Sequence, residues 1–397
     1  MARFDGESVV GVLGAGAMGS GIAQVAARAG HRVVVADTSE EQMERARAAF
    51  KQALARDVEK GRLTSDDAHA VEKRVWYVWR GPEAPMDAFA ECRIVIEAIV
   101  ERLDVKHAAF GALERAVAPG CVLATNTSSL SVSSIGAACE RPDRVVGVHF
   151  FNPAPVMPLV EIIPGVATSD DVLRATRALV DAWGKTTVLA ADTPGFIVNR
   201  IARPFYGEAW RIVEEGSADH ATVDWAMREL GGFRMGPFEL MDFIGHDVNF
   251  AVTRSVYEAT FHEPRYRPSL SQQRLVEAGR LGKKAGRGVY DYRDGAAKPA
   301  PSTDRAAGEA LLQRILAMLV NEAADAVHWR VASPADVDLA MTKGVNYPRG
   351  LLAWGDELGA ATVLETLDAL HAEYGEDRYR ASPLLRRRAR DGRSLRS

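Results

Sequence analysis

The stretch that decides the fold is Val9-Val10-Gly11-Val12-Leu13-Gly14-Ala15-Gly16-Ala17-Met18-Gly19, followed after a further turn of chain by Val33-Val34-Val35-Ala36-Asp37. The first run is apolar and β-branched, and it ends in glycines. From Ala17 onward Met18, Ile22, Val25 and Ala26 recur at helical spacing until Gly30 stops the pattern. The second run is apolar without interruption, which suits a parallel strand covered on both faces. Together they predict a βαβ unit. Gly14-Ala15-Gly16-Ala17-Met18-Gly19 is then G-x-G-x-x-G in its informative context, after a strand and opening a helix. Gly14 permits the tight turn, Gly16 lets the backbone approach a pyrophosphate, and Gly19 allows close helix–strand packing, with the anion at the positive helix end. Asp37 ends the second strand, where a carboxylate can accept from a ribose diol and repel a 2′-phosphate. The same carboxylate would also suit a cap of the turn before Thr38 and Ser39.

Outward from this unit, a polar helix is predicted over 40–60 and strands over 94–99, 122–125, 145–150, 159–163 and 187–190. Such alternation predicts an α/β, Rossmann-type doubly wound sheet in a domain spanning 1–192. After Thr193-Pro194-Gly195 strand signals thin out and helical patterns take over. Residues 294–304, rich in Gly, Ala, Pro and Ser, read as a linker. The helical part repeats itself at an offset of 114 residues: Thr222-Val223-Asp224-Trp225-Ala226-Met227 parallels Asp336-Val337-Asp338-Leu339-Ala340-Met341. The same offset relates Glu208 to Glu322, Gly236 to Gly350, Asp242 to Asp356 and Gly245 to Gly359. A period this long is a duplicated domain. Two copies of one all-helical domain are therefore expected, at 193–293 and 305–397.

Composition bounds the rest. Over 397 residues, 49 basic against 53 acidic side chains give a net charge of −4, which argues against nucleic acid as a general partner. Only the C-terminal crowd of Arg386, Arg387, Arg388, Arg390, Arg393 and Arg396 stands apart. Cys92, Cys121 and Cys139 are widely spaced, so neither a disulfide framework nor a metal site is suggested. No signal-like apolar segment opens the chain, and the run at 9–13 is too short for a bilayer. These features predict a cytoplasmic protein without a membrane, metal or nucleic-acid partner, either monomeric or homo-oligomeric.

Three stretches carry candidate chemistry. Asn126-Thr127-Ser128-Ser129-Leu130 follows a predicted strand, at the sheet edge where ligands bind, although turn and N-cap chemistry would use the same residues. His149 ends an apolar strand, and Glu161 interrupts the apolar run Leu159-Val160-Glu161-Ile162-Ile163. A buried carboxylate needs a partner. If that partner is His149, the carboxylate fixes the imidazole tautomer and creates the base-and-orienter pair that alcohol oxidation needs. Asn199 lies in the first turns of the helix after Pro194-Gly195-Phe196, where it could reach a substrate oxygen or cap the nearby backbone.

Taken together these stretches resemble the 3-hydroxyacyl-CoA dehydrogenase family over essentially the whole chain. Gly14 to Gly19, Glu97-Ala98-Ile99-Val100-Glu101, Asn126 to Leu130, His149-Phe150-Phe151-Asn152-Pro153, Asp192 to Arg200, Met235-Gly236-Pro237-Phe238-Glu239-Leu240 and Gly282 to Gly288 occur in family order. The resemblance implies NAD as cofactor and an acyl-CoA thioester as substrate. It makes His149 the catalytic base and Glu161 its partner, with Ser128 and Asn199 at the reacting oxygen. It places Glu101, Lys106, Ser128, Asn152 and Lys284 at the NAD site and Lys60 toward the CoA. A serine accompanying that lysine in some members is Ala53 here. The duplicated helical copy and the segment Gly231 to Phe238 look most like bacterial members of phenylacetate catabolism that oxidise 3-hydroxyadipyl-CoA, for which Arg234 is a candidate partner of the distal carboxylate. The second copy lacks a Pro-Gly-Phe-Ile-Val-Asn-Arg run and is expected to be structural. A noncatalytic scaffold protein would have no need of the Ser128, His149, Glu161 and Asn199 set. Another NAD-dependent hydroxyacid dehydrogenase would more often use a lysine base from its helical domain.

Overall fold

A computed structural model describes residues 4–79, 81 and 86–397. The chain forms two compact units, 1–193 and 194–397.

The first unit is built on one eight-stranded sheet: β1 (Val9–Leu13), β2 (Val33–Asp37), β3 (Val75–Trp79), β4 (Cys92–Glu97), β5 (Val122–Thr125), β6 (Val145–Phe150), β7 (Leu159–Pro164) and β8 (Thr186–Leu189). Their order is β3-β2-β1-β4-β5-β6-β7-β8, and every pair is parallel except β6–β7. The order reverses between β1 and β4, which makes the loop after β1 the topological switch point. Central strands read as unbroken apolar runs because helices cover both faces. Val10, Val12, Val33, Val35, Ile94 and Ile96 are fully buried, packed with Ile22 and Ala26 of the helix Ala17–Arg28. Burying a Val or Ile side chain is worth about 1.5–3 kcal/mol. β3 was not expected. Its Val-Trp-Tyr-Val-Trp run is as apolar as those of its neighbours but rich in aromatics, and it lies at the sheet edge with Trp76 and Trp79 exposed.

The second unit is helical, and its two halves superimpose in register. Pro237–Ile244 corresponds to Leu351–Leu358 and His246–Ala259 to Ala360–Tyr374, each starting 114 residues on. Asp224 accepts the backbone N–H groups of Phe238 and Glu239 at 2.8 and 3.0 Å. Asp338 accepts those of Leu352 and Ala353 at 2.7 and 3.1 Å. Each carboxylate thus satisfies the orphan donors of the next helix. Residues 294–304 carry neither helix nor strand, and Asp304 caps the long helix Arg305–His328.

The halves meet about a pseudo-twofold axis. Arg200 Nε of the first half donates to Glu322 of the second at 2.7 Å, and Arg314 Nε of the second donates to Glu208 of the first at 2.7 Å. Tyr266 donates to Glu322 and Tyr379 to Glu208, both at 2.5 Å. The rings of Phe233 and Tyr347, equivalent positions, meet edge-on at 5.0 Å. Contacts that swap partners in this way define an isologous interface, here closed within one chain.

Candidate active site

The glycine loop follows from steric necessity. Gly14 has φ +106°, and a Cβ on Gly19 would lie 1.9 Å from the Gly14 carbonyl oxygen. Around Gly16, by contrast, a Cβ would meet nothing within 4 Å. The turn is therefore tight behind Gly19 and open at Gly16, the N-terminal end of the helix Ala17–Arg28. Ala15 is buried, Ala17 exposed and Met18 half-buried. Asp37 Oδ2 accepts the Ala15 N–H at 2.6 Å and Oδ1 the Ser39 N–H at 2.8 Å. The carboxylate thus caps the turn, and each oxygen keeps a lone pair for a ribose hydroxyl. A cavity of about 490 Å³ opens here, lined by Gly14, Gly16, Asp37, Thr38, Ile99 and Ala109. Open backbone at Gly16, a helix N-terminus and a carboxylate at the end of β2 fit a dinucleotide.

Beside the loop, Glu97, Lys106 and Glu101 form a ladder. Lys106 Nζ lies 2.6 Å from Glu97 and 3.2 Å from Glu101. Burial pushes the Glu97 carboxyl above the usual range, an effect that the Lys106 ammonium and the Thr125 hydroxyl only partly offset. Burial also opposes ionisation of Glu101, but there Lys106, Thr127 and Ser129 prevail and hold the carboxyl low. Glu101 gathers the Thr127 hydroxyl at 2.6 Å and the Ser128 and Ser129 N–H groups at 3.0 and 3.1 Å. It thereby fixes the loop that presents the half-buried Ser128. Lys106, expected at the NAD site, has a side chain 1% exposed, held beneath the loop between the two carboxylates. Sequence reasoning also missed Glu97 and Thr127, as well as Asp192, which accepts from Ser131, Val132 and Ser133. A glutamate closing the apolar run of β4 was the available signal for Glu97.

His149 and Glu161 are directly opposed in the antiparallel β6–β7 pair. Side chains of such a pair share a face, and here Nδ1 lies 2.6 Å from Glu161 Oε2, with both residues buried. The carboxylate fixes Nδ1 as the protonated nitrogen and Nε2 as the acceptor. Asn126 Oδ1 accepts the Phe150 N–H at 2.9 Å, tying the two strand ends together, and Asn152 is exposed just beyond them.

The remaining expected residues lie on other elements of the chain. Lys60 is exposed at the C-terminal end of the helix Glu40–Glu59. In the second unit Asn199 is half-buried, and Lys284 pairs with Asp247 at 2.6 Å. Arg234 is exposed, with no side-chain hydrogen bond or ion pair among the described residues. Among those residues no helix is long and apolar enough to cross a membrane, and no cluster of three metal-ligating side chains occurs.

A dinucleotide loop at the switch point, with a carboxylate-oriented histidine at the strand ends of the same sheet, defines an NAD-dependent dehydrogenase acting on an alcohol. The family model for the 3-hydroxyacyl-CoA dehydrogenase NAD-binding domain matches residues 9–193, and that for the C-terminal domain of the same family matches both 195–292 and 311–397. The 3-hydroxyadipyl-CoA dehydrogenase of Escherichia coli K12 is 41% identical across 96% of this chain and 97% of its own length. A crystal structure of 3-hydroxybutyryl-CoA dehydrogenase from E. coli K12 superimposes with a TM-score of 0.90 at 39% identity, covering 96% of this chain and 98% of that one. The (S)-3-hydroxybutyryl-CoA dehydrogenase structure from Ralstonia eutropha, at 38% identity and TM-score 0.69, covers 72% of this chain and 100% of its own. The chain belongs to the 3-hydroxyacyl-CoA dehydrogenase family, and its reaction is the NAD-dependent oxidation of a 3-hydroxyacyl-CoA.

Proposed function

We propose that the substrate is an ω-carboxylated thioester, 3-hydroxyadipyl-CoA, and that His149 is its base. The His149–Glu161 pair carries the chemical part of this reading. With Nδ1–H held by Glu161, Nε2 takes the proton from the C3 hydroxyl as the C3–O double bond forms. The NAD that the glycine loop and Asp37 would hold would supply the hydride acceptor for C3. Ser128 and Asn199 hold the C3 oxygen, Asp37 accepts from the ribose diol, and Lys60 serves the CoA. Glu101 sets the Ser128 loop, while Asn152 and Lys284 complete the cofactor contacts. The corresponding division of the chain is 1–192 for NAD, 193–293 for substrate, a linker at 294–304, and 305–397 as the second helical copy.

The ω-carboxylate is suggested by the name of the E. coli relative and by Arg234, an exposed guanidinium with no side-chain partner among the described residues. A bidentate contact from Arg234 would contribute roughly 1.5–3 kcal/mol, about tenfold or more in chain preference. The test compares kcat/KM for 3-hydroxyadipyl-CoA with that for 3-hydroxyhexanoyl-CoA in the wild type and in Arg234→Leu, followed by NADH absorbance. The wild type should favour the dicarboxylic substrate and the variant should lose that preference. An unchanged ratio removes Arg234 as selector, and inactivity of the wild type on 3-hydroxyadipyl-CoA removes the substrate assignment.

A further inference from the structure

Buried arginines of this chain sit beside a carboxylate, with one exception. Among the described residues Arg144, Arg203, Arg265 and Arg378 are buried. Arg144 lies 3.2 Å from Glu114, Arg265 2.9 Å from Asp325 and Arg378 3.6 Å from Glu376. Arg203, 5% exposed at the start of the helix Arg203–Glu214, has no ion pair among the described residues. Its contacts are neutral: Nε donates to the Asn199 carbonyl at 2.7 Å, Nη1 to the Thr253 hydroxyl at 2.9 Å, and the guanidinium lies 5.0 Å from the centre of the Tyr206 ring. Nη2 has no hydrogen bond among the described residues. Burial pulls Arg203 below the ordinary arginine value, but a guanidinium stays charged in a protein. An unpaired buried cation is costly to fold around. Pseudo-symmetry gives no reason for it, because the position 114 residues on is Ala317.

The second helical copy brings a further unspent donor. Tyr347 is buried, its ring meets that of Phe205 at 5.7 Å, and its hydroxyl has no hydrogen-bond partner among the described residues. Burial raises that phenol against the opposing pull of the Arg203 charge, so it stays a neutral O–H. Asn199, four residues before Arg203, has a carboxamide that makes no hydrogen bond among the described residues. Donors left over around one helix start suit a ligand rich in acceptors, and the uncancelled charge suits an anion. The spacing suits a short one. Side chains four apart on a helix lie about 5–6 Å apart, and in a 3-hydroxyadipyl chain the carboxyl carbon stands three bonds, about 4 Å, beyond C3.

We propose that Arg203 receives the distal carboxylate of the substrate, with the Tyr347 hydroxyl as a second donor. The proposal rests on the ω-carboxylate reading above, and it adds a buried contact to the exposed one at Arg234. The carboxylate supplies the counter-ion that Arg203 lacks in the fold, and the second helical copy takes a direct part in recognition through Tyr347.

The probes are adipyl-CoA and hexanoyl-CoA, which lack the C3 hydroxyl and differ only in the distal carboxylate, titrated by calorimetry into the full chain. The wild type should bind adipyl-CoA about tenfold or more the tighter, and Arg203→Met should abolish that ratio. Loss of the bond to the Asn199 carbonyl in the variant affects both thioesters alike and cancels in the ratio. The urea midpoint of Arg203→Met should not fall, because an unpaired buried charge gives way to an apolar side chain. A fall with an unchanged ratio marks Arg203 as structural and overturns the proposal. Tyr347→Phe, which orphans no partner, should cut the ratio by about threefold or more and serves should Arg203→Met misfold. An unchanged ratio in Arg203→Met, or in Tyr347→Phe where only that variant folds, overturns the proposal, and weaker binding of both thioesters at a constant ratio assigns Arg203 to the phosphates of CoA instead. Turnover separates this proposal from the one it rests on. If the wild type oxidises 3-hydroxyadipyl-CoA but its preference does not need Arg203, this proposal alone fails. If the wild type is inactive on 3-hydroxyadipyl-CoA yet prefers adipyl-CoA through Arg203, the substrate reading fails and the carboxylate site at Arg203 stands.

Discussion

At the scale of single residues, the proposed base is an imidazole whose two nitrogens have been made different. Glu161, buried on β7 and 2.6 Å from Nδ1, makes that distinction. His149→Ala should lower kcat by about 10²–10⁴-fold with little change in NAD affinity, because the base acts on the hydroxyl and not on the dinucleotide. Glu161→Gln should also lower kcat, since an amide can orient the ring but cannot stabilise the imidazolium. Stopped-flow measurement of NADH formation with an NAD titration in parallel separates the two effects, and near-normal turnover in His149→Ala would exclude the role. This pair was legible in the sequence because His149 lies near the end of one unmistakable apolar strand and Glu161 interrupts another. The Lys106 ladder was not. Its partners come from a strand end and a loop, and only the entry angle of the helix Leu103–Ala116 brings the ammonium beneath them.

At the scale of elements, the glycine loop separates what folding requires from what the cofactor requires. Gly19→Ala places a methyl group 1.9 Å from a carbonyl oxygen, so helix and strand must part, at about 1–3 kcal/mol or more by the measure of overpacked cores. Gly16→Ala meets no atom of the chain. It should leave the urea midpoint unchanged while weakening NAD binding, which fluorescence titration would detect. Equal NAD affinity in Gly16→Ala would mean that the pyrophosphate does not approach there. The close packing behind Gly19 could be read from the sequence, since motif and context coincide. β3 was passed over although its Val-Trp-Tyr-Val-Trp run consists of strand formers, and its edge position leaves Trp76 and Trp79 exposed. The π-helical turn at Ala226–Leu230 escaped as well, since its residues carry ordinary helical spacing.

At the scale of the molecule, the second helical copy supports the first through buried charge. Glu322 takes Arg200, Arg265 and Tyr266 from the half that bears Asn199. Burial opposes its ionisation, yet Arg200 and Arg265 outweigh that and hold the carboxyl below its ordinary value of 4.5. A depressed folded value means that the contribution is complete above about pH 4.5 and is lost as pH falls through the lower folded value. Glu322→Gln should therefore cost about 3–5 kcal/mol near neutrality, as broken buried pairs do. The gap to wild type should narrow below about pH 4.5, and urea unfolding at stepped pH would show it. A gap that stays constant with pH would mean that Glu322 is not ionised in the fold. The repeat itself was legible from matched residues at one offset, but its reciprocal ion pairs were not, because they join positions more than a hundred residues apart. The closed pseudo-twofold interface also has an evolutionary consequence. In a homodimer every substitution is inherited twice, once on each side of the axis, and must suit both. Here one gene encodes the two sides separately, so Phe233 could face Tyr347 and Asn199 could coexist with Gln313. Covalent tethering also makes the pairing independent of dilution, which leaves each half free to diverge from the other.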